Sequence, residues 1–126
     1  MTPHRGNAGH VELVVSEADT AQTYGSGDVP VLATPKLVAI IEQACLSALN
    51  GHLDEGQTTV GLAIDLKHFA PTVVGRMVAA EARLDSVDGR KLTFSCRVFE
   101  GEQEIARARH VRVAVDRADF LARAEK

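Results

Sequence analysis

The sequence predicts an α+β fold in which a curved antiparallel sheet packs around one long apolar helix. Residues 34–51 carry the strongest helical pattern of the chain. Four later stretches alternate apolar and polar residues and are separated by short turns, a pattern typical of an antiparallel sheet. A single apolar helix beside a small sheet buries most of its surface when the sheet curls around it.

The helix is predicted to begin at Thr34 and to end at Asn50-Gly51. Thr34 has a hydroxyl that suits an N-cap, Pro35 suits the first helical position, and glycine commonly follows a helix end. Apolar residues recur at spacings of three and four, and their stripe is too wide for a helix that rests on a surface with one face. The stripe comprises Leu37, Val38, Ile40, Ile41, Ala44, Cys45, Ala48 and Leu49. We therefore expect the helix to be wrapped.

The strands are predicted from alternation. A short strand is expected over His10–Ser16, followed by a polar, glycine-rich connection whose most flexible part is residues 24–28. Four strands follow the helix, and the last is expected to contain a bulge because its apolar residues change parity. They cover Gln57–Ala70, Arg76–Asp85, Lys91–Phe99 and Gln103–Val115, and a short helix capped by Asp116 ends the chain. This order of elements is the hot-dog arrangement.

Length and composition indicate an ordinary globular domain. The chain has 126 residues, of which 45% are hydrophobic and 25% charged, so we expect one domain over residues 1–126 with residues 1–9 as a flexible lead-in. A net charge of −3 gives no electrostatic basis for nucleic-acid binding, and no apolar run is long enough to span a membrane. The N-terminus lacks the apolar core of a signal peptide, which favours a cytoplasmic protein.

The two cysteines are predicted to be small core residues. Cys45 and Cys96 lie in apolar patterns, with no CxxC motif and no histidine at metal-ligand spacing. We therefore expect no disulfide, no metal site and no cofactor.

Two polar residues stand out in the predicted apolar layer. Glu42 lies at the edge of the helical stripe, and no residue three or four positions away is charged, so a partner must come from elsewhere in the fold. His68 continues the apolar face of the first strand after the helix, together with Val60, Leu62, Ile64, Leu66 and Ala70. Each has an ordinary alternative: an isolated glutamate often turns to water, and a core histidine is often structural.

Three segments of the chain resemble the hot-dog thioesterases related to fluoroacetyl-CoA thioesterase. They read VLATPKLVAIIEQAC, EGQTTVGLAIDLKHFAPTVVG and VDGRKLTFSCRVFEGEQEIARARHVRVAV, within residues 31–115. The family has a catalytic threonine at the helix N-terminus, a glutamate eight residues later and a histidine that ends the next strand, with a strand glycine seven residues before it. The resemblance places these roles on Thr34, Glu42, His68 and Gly61.

The resemblance implies hydrolysis of a small or medium acyl-CoA. Glu42 would activate water or attack the thioester itself, His68 would polarise or protonate, and Thr34 and the Gly61 N–H would approach the carbonyl. Thr34 and Glu42 are about 12 Å apart along a regular helix, which argues against direct contact. Arg112, with Arg107 and Arg109, is a candidate phosphate contact, although these arginines could also form a solvated strand face.

Two other functions remain open at this point. A hot-dog hydratase is disfavoured because the sequence shows no Asp-His hydratase signature. A non-catalytic module that binds acyl-CoA or an acyl carrier would use Glu42 and His68 only to shape a pocket.

Assembly and substrate range follow from two further features. A small curled sheet leaves an unpaired edge, so we expect a homodimer or a dimer of dimers with the substrate slot at the interface. The segment before Thr34, residues 24–32, has no phenylalanine, whereas the fluoroacetyl-specific enzyme has a phenylalanine-rich lid there. This difference favours a broader range of acyl groups.

Overall fold

The computed structural model describes residues 2–126, which form one five-stranded antiparallel sheet and a long helix packed on it. The strand order is β1-β3-β4-β5-β2, so β1 and β2 are the edges of the sheet. This is the predicted α+β fold class. The strands are β1 (Ala8–Val14), β2 (Gln57–His68), β3 (Met77–Asp88), β4 (Lys91–Glu100) and β5 (Gln103–Asp116); the helices are α1 (Ala21–Tyr24), α2 (Thr34–Ala48) and α3 (Arg117–Ala124).

The core lies between α2 and one face of the sheet. Seven residues of the predicted stripe are buried: Leu37, Ile40, Ile41, Ala44, Cys45, Ala48 and Leu49. They pack against apolar side chains of β3, β4 and β5, among them Leu84, Phe94 and Val98. Cys45 and Cys96 are both in this core, as predicted, with their sulfur atoms 3.6 Å apart as free thiols.

One glycine brings β1 against the helix. A Cβ atom on Gly9 would collide with the backbone of α2 at Ala44 and Ala48, so only glycine permits this close approach. The strand begins at Ala8, two residues earlier than predicted. Hydrogen bonds between Gly6 N–H and the Leu84 carbonyl, and between Leu84 N–H and the Asn7 carbonyl, extend the ordered pairing into the expected lead-in.

The connection before α2 is more ordered than its composition suggested. It holds a 3-10 turn at Glu17–Asp19 and the short helix α1, whose N-cap Thr20 accepts a hydrogen bond from Thr23 N–H. The Ala21 N–H donates a hydrogen bond to the Val31 carbonyl over 2.9 Å, which joins the two sides of this segment. The sequence predicted a polar connection here but neither of these two elements, because turns with local hydrogen bonds give no periodic signal.

Bulges set which side chains face the helix. The predicted bulge in the last strand is present: Val98 pairs with Ala106 and Phe99 with Glu104, which leaves Ile105 as an extra residue. A second bulge, which the sequence did not predict, lies in β2. There Gly61 pairs with Arg112 and Ala63 with Val111, so Leu62 is extra.

The β2 bulge corrects the predicted strand faces. Ile64, Leu66 and His68 face inward as expected, whereas Leu62 is 63% exposed. Before the bulge, Thr59 and Gly61 are the residues that face the helix. The strict alternation predicted over the whole strand was wrong, because one extra residue shifts the inward parity.

Candidate active site

The first polar group of the site consists of the side chains of Thr34 and His68, and it joins the start of α2 to the end of β2. Thr34 Oγ1 and His68 Nδ1 are 2.9 Å apart. Thr34 was predicted as the N-cap, but the cap is Ala33, which has no side-chain cap, and Thr34 is the first residue of the helix. The Thr34 hydroxyl is therefore bonded to the histidine instead of satisfying the helix terminus.

His68 has one ring nitrogen without a partner. Its Nε2 is buried and, among the described residues, makes no hydrogen bond. Burial lowers the pKa of His68, and the backbone of Ala70, which lies near the ring outside good hydrogen-bond geometry, offsets only part of this effect. The imidazole is therefore neutral near pH 7, so it can take up a proton during a reaction.

The second polar group consists of the side chains of Glu42, Arg112 and His110. Arg112 Nη1 donates to Glu42 Oε2 over 3.2 Å, and His110 Nε2 lies 3.8 Å from the same oxygen. The sequence indicated that Glu42 needed a partner from outside its helix, and the structure supplies Arg112 from β5. The Glu42 side chain remains 38% exposed, so the carboxylate is both held and accessible.

Arg112 is enclosed by its own hydrogen bonds. Its Nε donates to Thr59 Oγ1 over 2.9 Å, and its Nη2 donates to the Thr59 carbonyl over 3.0 Å. Its Nη1 contacts Glu42 and His110. The side chain is 7% exposed. These four contacts use most of the roughly five N–H donors of the guanidinium. This burial does not suit a contact with a substrate phosphate.

His110 was not singled out from the sequence. It is buried on β5, two residues before Arg112, and its Nδ1 is 2.8 Å from the carbonyl oxygen of Ala63. Its parity is that of Ala106, Ala108 and Arg112, which all face inward after the β5 bulge. Extending that parity along the strand would have identified it.

Gly61 forms the wall beneath Glu42. A Cβ atom at this position would lie 2.9 Å from Glu42 Oε2 and 3.5 Å from His110 Cε1. The absence of a side chain therefore lets the Glu42 carboxylate pack directly against the strand. This placement is consistent with the expected approach of a substrate to the Gly61 backbone.

The two polar groups are well separated within one chain. Gly61 and His68 are six ladder positions apart once the extra Leu62 is discounted, or about 20 Å along the strand. Thr34 and Glu42 are eight residues apart on α2, about 12 Å along its axis. A single carbonyl cannot touch both groups of the same chain.

A groove opens beside the Thr34 and His68 pair. Its volume is about 340 Å³, and its walls come from the segment before α2 and from the residues that follow β2. Val29, Val31 and Phe69 give it an apolar lining, and Thr34 and His68 provide its polar groups. A groove of this kind can hold a small acyl chain next to the imidazole.

The three arginines considered as phosphate contacts do not share a face. Arg107 and Arg109 line an open basin of about 980 Å³ on the outer face of the sheet, together with Lys67 and Arg97. Arg107 is paired with Glu104 at 2.7 Å. Arg112 projects to the opposite face, so it cannot belong to one phosphate site with the other two.

Among residues 2–126, no group of three or more His, Cys, Asp or Glu side chains is arranged to hold a metal ion. In the same part of the chain, no helix is long and apolar enough to cross a membrane.

The chain is similar to thioesterases in sequence and in fold. The family model "FlK: Fluoroacetyl-CoA-specific thioesterase" matches residues 15–118. The fluoroacetyl-CoA thioesterase of Streptantibioticus cattleyicolor is 34% identical over 93 residues, which are 74% of this chain and 67% of the relative.

Solved structures extend the similarity over nearly the whole chain. The structure of the fluoroacetyl-CoA thioesterase FlK superposes with a TM-score of 0.89 at 30% identity, covering 97% of this chain and 95% of that one. A hot-dog-like protein from Thermanaerovibrio acidaminovorans, at 22% identity, has a TM-score of 0.86 over 95% of this chain and 89% of that one. The hot-dog fold predicted from the sequence is confirmed.

Proposed function

This chain belongs to the fluoroacetyl-CoA-specific thioesterase family and is an acyl-CoA thioesterase, and we propose that Glu42, His68 and Thr34 carry out its reaction. The family match favours hydrolysis over the hydratase and the non-catalytic binding module considered from the sequence. The proposal concerns which residues act, how they are assembled and which acyl groups are accepted.

The observation that carries the assignment is the environment of Glu42. One carboxylate oxygen is held by Arg112, the side chain remains accessible, and the strand below it is a glycine. A carboxylate that served only to pair with Arg112 would not need to be 38% exposed. Access to the carboxylate is required if a thioester carbonyl must approach it.

Glu42 supplies the attack on the thioester carbonyl, either directly or by removing a proton from a water molecule. Attack forms a new C–O bond, and the C–S bond then breaks to release the CoA thiolate, which takes up a proton. The net reaction consumes one water and yields a free acid and a thiol. The Gly61 N–H is proposed to approach the carbonyl oxygen, where it would stabilise developing negative charge.

Thr34 and His68 are proposed to act on the side of the thioester that faces away from Glu42. The Thr34 hydroxyl lies at the start of α2, where unpaired N–H groups and the helix dipole favour negative charge. His68 is neutral and hydrogen-bonded to that hydroxyl, so it can orient Thr34 and exchange a proton with the leaving group.

We infer that one active site is built from two chains. β2 is an edge strand, and pairing two β2 strands antiparallel about Asp65 would place Gly61 of one chain beside His68 of the partner. The Glu42 group of one chain and the Thr34 and His68 pair of the other would then share one cleft. This arrangement removes the separation found within a single chain and supports the expected homodimer, or a dimer of dimers.

The proposed substrates are acyl-CoA thioesters with short or medium acyl groups. The groove beside Thr34 is small and mainly apolar, and Phe69 is the aromatic residue of its lining. The outer-face arginines Arg107 and Arg109 remain candidate contacts for the CoA phosphates. The cytoplasmic location expected from the sequence remains a prediction.

The assignment is tested by thiol release from a panel of acyl-CoAs with paired variants. Glu42→Gln and His68→Ala should each lower kcat by at least about 100-fold, the usual scale for removing a positioned acid or base. Glu81→Gln and His10→Ala, on exposed positions of the sheet, serve as matched controls and should keep wild-type kinetics. A folded Glu42 or His68 variant with wild-type turnover would show that this residue is structural.

Isotope labelling separates the two roles of Glu42. Under single-turnover conditions in ¹⁸O-water, direct attack passes through an acyl-enzyme anhydride whose hydrolysis can leave ¹⁸O in the Glu42 carboxylate. General-base attack places ¹⁸O only in the released acid. Mass spectrometry that finds ¹⁸O in the peptide containing Glu42 therefore identifies direct attack.

A further inference from the structure

We propose that His110 is a positioning residue that holds Arg112, and through Arg112 the carboxylate of Glu42, in the orientation needed for attack. This inference rests on the proposed role of Glu42. It assigns a function to a buried histidine that does not itself need to touch the substrate.

The tautomer of His110 is fixed by its two neighbours. Nδ1 lies 2.8 Å from the carbonyl oxygen of Ala63, and a carbonyl can only accept, so Nδ1 carries the proton. In the neutral ring Nε2 then has a free lone pair. It faces Arg112 Nη1 at 3.1 Å and accepts a hydrogen bond from it. Both ring nitrogens are therefore occupied, and the ring cannot rotate without losing two bonds.

The Nη1 group of Arg112 is shared between His110 and Glu42. It lies 3.1 Å from His110 Nε2 and 3.2 Å from Glu42 Oε2. Thr59 fixes the other side of the guanidinium through its hydroxyl and its carbonyl. His110 is thus the contact that directs the Nη1 side of the guanidinium under the carboxylate.

His110 also links this network to the β2 bulge. Ala63 directly follows the extra residue Leu62, and Gly61 directly precedes it. A Cβ atom at Gly61 would lie 3.5 Å from His110 Cε1, so the ring packs against the same backbone that leaves space for Glu42. One side chain therefore contacts the bulge, the arginine and the floor of the cleft.

The charge state of His110 matters for this function. Burial lowers its pKa, Arg112 acts in the same direction, and the Ala63 carbonyl and Glu42 oppose it. The charged groups facing the ring are Arg112 on its own strand and Glu42 from α2, while β2 presents the backbone of Gly61 and Ala63. Protonation of Nε2 would remove the acceptor used by Arg112 and direct a second cation at Glu42 Oε2.

Two variants separate the two bonds of the ring. In His110→Gln the amide can reach the Nε2 position and accept from Arg112, whereas in His110→Asn it reaches only the Nδ1 position and can donate to Ala63. We expect His110→Asn to lower kcat at least about tenfold, because displacing a reacting group by an ångström can cost about 100-fold. His110→Gln should recover most of that loss. The values of KM should change little in either variant.

The pH dependence provides a readout that a structural role would not change. In the wild type, protonation of His110 should contribute to the acid limb of kcat/KM, and His110→Gln, which cannot protonate, should lose that step. A purely structural residue would instead give variants whose activity follows only their melting temperature. Equal kinetics and equal pH profiles for wild type and His110→Asn would overturn the proposal.

Two controls keep the outcome interpretable. Histidine NMR on the wild-type protein should show a neutral His110 with the proton on Nδ1 near pH 7; the other tautomer or an imidazolium would refute the proposal even if both variants failed to fold. Glu42→Gln is measured in parallel. If it keeps wild-type turnover, the proposed function itself is wrong, whereas an inactive Glu42→Gln with an unaffected His110→Asn contradicts only the role of His110.

Discussion

At the level of single residues, the buried imidazole of His110 and the half-buried imidazole of His68 make the fold sensitive to acid. Burial lowers the pKa of both His68 and His110 below the ordinary value of 6.5. The unfolded chain binds these protons near pH 6.5, while the folded chain binds them only at lower pH. The contribution of the two neutral imidazoles to the free energy of unfolding should therefore be fully present above pH 6.5. It should be lost as the pH falls from 6.5 through the lowered pKa values of the folded state.

Urea unfolding at several pH values measures this dependence. The unfolding free energy should be nearly constant between about pH 7 and 8 and should decrease below about pH 6.5. In His110→Gln the decrease should be smaller, since one of the two protons is no longer taken up. An equally steep decrease in that variant would mean that other groups cause the acid sensitivity.

Single residues also show how far sequence reasoning reaches. The apolar surroundings of Glu42 predicted that a partner must come from another element, and Arg112 on β5 is that partner. The identity of the partner could not be predicted, because two bulges decide which side chains of β5 and β2 meet the helix. The grouping of Arg112 with Arg107 and Arg109 was wrong for a simpler reason, because alternation along β5 already places Arg112 on the other side of the sheet.

At the level of elements, the bulge in β2 determines the geometry of the site. It lets Thr59 and Gly61 face the helix before Leu62, and Ile64, Leu66 and His68 face it afterwards. An isolated glycine within a strand pattern is a known signal for a bulge or for a close approach, so Gly61 could have been interpreted in that way. Periodicity alone gave the correct face only for the second half of the strand.

Deleting Leu62 tests the importance of this bulge. Without Leu62, Gly61 and His68 are six ladder positions apart, so regular alternation still turns Gly61 toward Glu42 and His68 toward Thr34. We therefore expect the deletion variant to fold and to retain thiol release. Leu62→Ala keeps the extra residue and removes only an exposed side chain, so its monomer fold should be retained. A folded deletion variant without activity would show that the bulge itself is needed, and not only the face on which Gly61 and His68 lie.

At the level of the whole molecule, the separation of the two polar groups predicts that activity requires a dimer. Light scattering should show a dimer or tetramer at micromolar concentration, and a pure monomer would contradict the shared site. Complementation gives a stricter test, because mixed dimers of Glu42→Gln and His68→Ala contain one site with both substitutions and one with neither. Refolding an equal mixture should restore roughly a quarter of wild-type activity, since half of randomly formed dimers are mixed.

Complementation would fail if the active site were not shared between two chains. If each chain held its own complete site, every site in a mixed dimer would carry one substitution and no activity would return. The matched control is an equal mixture of Glu42→Gln with Glu42→Gln,His68→Ala, in which no intact site can form in either arrangement. Recovery in that control would indicate contamination and not complementation.

The shape of the acyl groove predicts the range of substrates. The segment before α2 holds the short helix α1, but it contributes Val29 and Val31 and no phenylalanine to the groove. The aromatic wall is Phe69, the residue that follows β2. A pocket discriminates groups of methyl size by only about 1–3 kcal/mol, so a groove without an aromatic lid should accept several short or medium acyl chains. We therefore expect little preference for fluoroacetyl over acetyl.

Comparing kcat/KM for fluoroacetyl-CoA and acetyl-CoA measures the preference for the fluorinated acyl group. Values within about tenfold of each other are expected, because a single fluorine changes the size of the acyl group less than a methyl group does. Phe69→Leu is the informative variant, since it replaces the aromatic wall without placing a polar group in the groove. If the wild type strongly prefers the fluorinated substrate and Phe69→Leu loses that preference, then Phe69 performs the recognition that a lid would otherwise provide.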